Sequence, residues 1–130
     1  MQLQLLFVKR LSMLLLFVYP FISNAQIEER LIGSYSVVSG SPAETIAISS
    51  DKVEVILKSE VIEKFFFYDK KNESYILELV DVNVTSVDHS IKKDRRLFNV
   101  SLLEHSSELM KLNMTHPNGM KQELILRKLL

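Results

Sequence analysis

The sequence contains no cysteine, no tryptophan, and only three glycines and three prolines in 130 residues. Without cysteine there is no disulfide, although small exported domains commonly lean on them. The fold must therefore rest on its apolar core, which a chain of this size can supply. The same absence excludes a lipid-modified cysteine behind the N-terminal apolar stretch. Charge of one sign is also missing, since 16 Lys and Arg face 16 Asp and Glu. That balance gives no electrostatic reason to seek a phosphate backbone, so nucleic-acid binding is not expected. No Gly-rich phosphate loop, nucleophile elbow or His-Glu-x-x-His occurs. His89, His105 and His116 show no metal-ligand spacing to one another or to an acid. Neither a cofactor nor an enzyme activity is expected.

What is present divides sharply near residue 25. Met1 to Arg10 ends in the basic pair Lys9-Arg10, and Leu11 to Ile22 carries no charge. Ser23-Asn24-Ala25 then places small residues at its first and third positions, ahead of Gln26. Basic end, apolar stretch and small-residue site form the order of a secretory signal peptide. Pro20 would break a helix just before the cleavage bond. A membrane anchor fits less well, because the uncharged run is short of the roughly 20 residues a spanning helix needs. The reading is a signal peptide over 1–25 and one domain over 26–130, secreted or periplasmic, with no membrane span after cleavage. Losing Lys9 and Arg10 from the balanced total leaves a formal charge of −2.

The remainder is rich in Val, Ile, Leu, Phe and Tyr, in short runs separated by turn residues. That spacing marks an all-β sandwich or barrel. Nine candidate strands can be drawn: Leu31–Val38, Ala43–Ser49, Lys52–Lys58, Val61–Tyr68, Ser74–Asp81, Val84–Ile91, Arg96–Glu104, Glu108–Thr115 and Lys121–Leu129. Apolar residues recur with a period near two, as in Met110, Leu112 and Met114 or in Leu124 and Leu126. Turns are expected at Ser39–Pro42, at Ser59-Glu60, at Asp69–Asn72 and at His116–Gly119, the last ending in Asn-Gly. A meander of this kind has unprotected edges unless it closes. The expected fold is a small up-and-down meander barrel of eight or nine short antiparallel strands.

Phe65-Phe66-Phe67-Tyr68 is the densest aromatic run. On a strand, Phe65 and Phe67 face one way while Phe66 and Tyr68 face the other. One pair can enter the interior. The other needs cover, from the N-terminal helical turn or from a partner or second copy. Lys92-Lys93-Asp94-Arg95-Arg96 reads as a solvated charged loop rather than a binding patch. Asn72, Asn83, Asn99 and Asn113 each head an Asn-x-Ser/Thr sequon, which has meaning only in a eukaryotic secretory pathway.

The opening Ile27-Glu28-Glu29-Arg30-Leu31-Ile32-Gly33-Ser34-Tyr35-Ser36-Val37 resembles the first strand of bacterial lipocalin-like domains. There a short helical turn leads into a strand carrying Gly-x-Trp or Gly-x-Tyr. Glu123–Leu129 resembles the family's closing strand, whose basic residue can pack across the first-strand aromatic. By that resemblance Gly33, Tyr35 and Arg127 close the barrel: Gly33 admits a neighbouring chain, and Tyr35 plugs one end beneath Arg127. They can equally be ordinary strand residues. The resemblance further implies a small apolar ligand in the barrel mouth, with Phe65 and Phe67 contacting it. The alternative is a non-enzymatic protein-interaction module of the cell envelope, working through the outer aromatic pair as a homo-oligomer or on another envelope protein.

Overall fold

The computed structural model describes residues 26–86 and 94–129. After one 3₁₀ turn at Glu29–Leu31, the chain forms eight strands. These are β1 (Gly33–Ser39), β2 (Thr45–Ile48), β3 (Lys52–Leu57), β4 (Glu60–Lys71), β5 (Ser74–Val80), β6 (Leu97–His105), β7 (Leu109–Thr115) and β8 (Lys121–Lys128). Each pairs antiparallel with the next, and β8 returns to β1, so the sheet closes as an up-and-down barrel. At the seam Tyr35 lies opposite Lys128, and Val37 opposite Leu126. The Leu129 N–H donates to the Ser34 carbonyl at 2.9 Å, extending the seam past the last strand.

Closure follows from alternation plus irregularity. Tyr35, Ile46, Val55, Phe65, Leu77, Phe98, Met110 and Leu126 share the inner face and form a continuous buried core. Register slips at Val37/Ser39, Val55/Ile56, Phe67/Asp69 and Leu102/Glu104 mark bulges. An extra residue there bends and twists its strand, which lets a short sheet curl shut. The outer face mixes Ser34, Ser36, Glu54, Asn99, Lys111, Glu123 and Arg127 with isolated apolar residues. It is not the continuous apolar band of a lipid-facing barrel. Among the described residues no helix is long and apolar enough to cross a membrane.

The connections differ between the two ends. At the base they are short, over 49–51, 72–73 and 106–108. At the mouth they are 40–44, 58–59, 81–96 and 116–120. The β3–β4 turn is the two residues Lys58 and Ser59, both at positive φ (52° and 64°). That is the geometry whose twist matches a hairpin, reached here without glycine or asparagine.

Three sequence expectations need correction. The first is the β3–β4 turn, which falls one residue before the expected Ser59-Glu60, at Lys58-Ser59, with Glu60 already in β4. Turn residues were expected at Asp69–Asn72, but β4 runs to Lys71 and the turn is Asn72-Glu73. The bulge at Tyr68 absorbs one residue and restores pairing at Asp69 with Ile76. The sixth candidate strand does not start where expected. Val84–Ser86 belong to no strand, and the rest of it, 87–91, lies outside the described residues. The expected signal peptide, 1–25, lies outside them as well.

Candidate functional site

The barrel is hollow. Its interior holds a cavity of about 230 Å³, floored by Ile27 and Leu31 and walled by Phe65, Phe98 and the β7 row Met110, Leu112 and Met114. Phe65 and Phe98 meet edge to face, with ring centroids 5.2 Å apart. Apart from the Tyr75 hydroxyl near the base, the polar side chains of the lining are Ser41, Glu63, His116 and Gln122, at the mouth. Among the described residues, no Lys or Arg lines the cavity.

The floor is built by the N-terminal segment. Ile27 donates its N–H to the Ser50 carbonyl at 2.7 Å, which draws the chain across the base. Tyr35 stands beside it at 1% exposure. Its hydroxyl donates to the Leu31 carbonyl at 2.8 Å, and burial raises its phenol pKa. Outside the floor, Glu28 is held by Lys70 at 2.6 Å and by Arg30 at 2.5 Å. Hydrogen bonds from these two cations, Lys70 foremost, lower the Glu28 carboxyl from 4.5 to about 2. The Glu28 N–H donates to the Tyr75 hydroxyl at 3.2 Å, so the clamp is tied to the cavity wall.

The mouth is organised by Gln122. Its amide nitrogen donates to the Gly40 carbonyl, and its Oε1 lies 3.0 Å from His116 Nε2. The His116 ring also packs against Phe98, centroids 5.0 Å apart. His116 is thus half-buried on the cavity lip, not a solvated turn residue. Phe98 occupies its other side, which no short-range reading of His-Pro-Asn-Gly could show.

Of the expected ligand-contacting pair, Phe65 lines the cavity. Phe67 faces inward too, but it packs lower against Tyr75 at 6.3 Å and is not part of the cavity wall. Of the expected closure residues, Tyr35 and Arg127 do lie on paired strands, yet they do not meet. Arg127 is opposite Ser36 and exposed, whereas Tyr35 is opposite Lys128 and faces inward. One residue of register sends the two side chains to opposite faces. Gly33 has φ 151°, and a Cβ there would meet only Lys128 Cε at an ordinary 3.6 Å. The close backbone approach is instead at Gly40, where a Cβ would fall 1.9 Å from the Glu123 carbonyl oxygen.

The outer aromatic face is covered, and not by the N-terminal turn. Phe66 is 4% exposed. Beside it, Arg95 reaches back from the β5–β6 connection and donates to both carboxylate oxygens of Glu78, at 2.7 and 2.8 Å. The Arg95 guanidinium sits 5.0 Å over the Tyr68 ring. Lys64 lies against Phe66 and donates to the Val84 carbonyl. Arg95 is therefore a structural clasp rather than part of a solvated loop, and the Phe66–Tyr68 face is not a free apolar patch.

Among the described residues no cluster of His, Asp or Glu could hold a metal ion. Comparison with protein-family models, curated proteins and solved structures finds no match to this chain.

Proposed function

We propose that this is a non-enzymatic carrier or sensor of a small apolar ligand, bound inside the barrel and acting outside the cytoplasm. The observation that carries the reading is the cavity: about 230 Å³, walled by aliphatic and aromatic side chains. Filling a barrel of eight short strands with side chains is easy, and empty apolar space is destabilising at roughly 24 cal/mol per Å³. Retaining such a space is consistent with use, as in small-molecule sites generally, which are largely pre-formed, apolar, and carry a few placed polar groups. The covered Phe66–Tyr68 face removes the main support for the protein-interaction alternative.

The ligand test is to fill the cavity. Val100→Phe and Leu112→Phe each add bulk to the wall. The expected result is a folded barrel that no longer binds a small apolar ligand in calorimetry. Binding unchanged in both variants would move the site elsewhere. The compartment rests on the order of basic, apolar and small residues over 1–25. N-terminal sequencing of the exported protein is expected to begin at Gln26.

A further inference from the structure

The lip of the cavity has a polarity of its own. Gly40 offers a carbonyl, which can only accept, so the Gln122 amide NH₂ must face it. Gln122 Oε1 then faces His116, and being an acceptor it requires a hydrogen on His116 Nε2. In the neutral ring this leaves Nδ1 as the atom with the lone pair. Gln122 thus commits one N–H to Gly40 and its oxygen to His116. Glu63, on the inner-face register of β4 opposite Val55, adds a carboxylate that accepts only. Ser41 Oγ already accepts from the Ala43 N–H at 3.2 Å, leaving its hydrogen as the one hydroxyl donor on the lip. The mouth is rich in acceptors, poor in donors, and carries a negative charge.

The volume sets the length of the occupant. A dry apolar cavity of about 150 Å³ accommodates benzene, which has six heavy atoms. On that scale 230 Å³ holds roughly nine. Long-chain acyl groups are too large to be enclosed.

We propose, building on the interior-ligand reading, that the occupant is a small amphiphile with a chain of about eight carbons and a hydrogen-bond-donating, non-anionic head, a hydroxyl or a protonated amine, seated between Glu63 and His116. A hydroxyl donates to either acceptor and receives the Ser41 hydrogen. An ammonium pairs with Glu63. A carboxylate head meets the Glu63 charge, with no Lys or Arg on the described lining to offset it.

The experiment is calorimetric titration of the purified protein with 1-octanol, octylamine and octanoate at pH 8. Octanol and octylamine are expected to bind once per chain. Octanoate is expected to bind about fivefold more weakly, the upper range for an exposed charge pair. Glu63→Gln, at an exposed position, is expected to weaken octylamine and strengthen octanoate, bringing both close to octanol. Octanoate binding as well as octanol to the unaltered protein overturns the head-group assignment while leaving the interior site standing. An unchanged ranking in Glu63→Gln does the same. If none of the three binds, the interior-ligand reading falls, and this inference with it.

Discussion

Tyr35 joins a buried ring to a satisfied hydroxyl, and two substitutions separate those contributions. Tyr35→Phe keeps the ring and orphans the Leu31 carbonyl it served, costing about 1 kcal/mol. Tyr35→Ala opens a void at the floor and costs about 3–5 kcal/mol. Arg127→Ala, on the exposed outer face, is expected to stay within about 0.5 kcal/mol. Urea denaturation of the three variants checks the order. The separation of Tyr35 from Arg127 is partly written in the sequence. The alternation that groups Arg127 with Glu123 and Ile125 already sets it on the face opposite Leu126, and Leu126 is fully buried. What the sequence lacks is the register across the seam, which depends on a bulge after Val37. Glu28 supplies a test at the same scale. Its folded pKa of about 2 lies below the ordinary 4.5, so the clamp stabilises fully above pH 4.5 and is lost as pH falls toward 2. The difference in melting temperature between the protein and Glu28→Gln is expected to shrink through that window. A difference independent of pH would show that the carboxylate charge is not what holds the base.

Strands were the most legible elements, because an inner face of Val, Ile, Leu, Phe and Met alternating with polar residues survives in the sequence. Irregular segments were not. Nothing local distinguishes the run from Val84 onward from a strand; what places Val84 and, beyond the run, Arg95 is long-range contact with Lys64 and Glu78 respectively. The cavity lip was legible only in fragments. Gln122 falls on the same face as Leu124 and Leu126, but its bridge to Gly40 spans 82 positions. Two elements make firm predictions. Arg95→Met strands the Glu78 carboxylate, whose side chain is 6% exposed, and is expected to cost about 3–5 kcal/mol. Replacing both partners, Glu78→Met with Arg95→Met, is expected to recover most of that loss, since apolar substitutes avoid the buried charge. A double variant no more stable than Arg95→Met would assign the clasp to packing. At the β3–β4 turn, Lys58→Asn with Ser59→Gly relieves two positive-φ residues. Thermal melting should show a gain of about 1 kcal/mol or more, given the cost of left-handed backbone outside glycine.

For the molecule as a whole, the strand pairing most distant in sequence is β1 with β8. Non-local closure of this kind places folding on the millisecond-to-second scale of all-β domains. The seam has another consequence. Because each strand pairs with its sequence neighbours and the last pairs with the first, the strand order is cyclic. Leu129 donates to Ser34, so the two ends of the barrel ladder lie beside each other at the base. The barrel is a ring that the ribosome happens to open between β8 and β1. A circular permutant that links the C-terminus to Gln26 and opens between Lys58 and Ser59 should form the same ladder, with a far-ultraviolet spectrum matching the parent's. In that chain Ile27 and Leu31 would be held by a linker on one side and β1 on the other, so the floor of the cavity would be tied to the barrel ladder at both its ends.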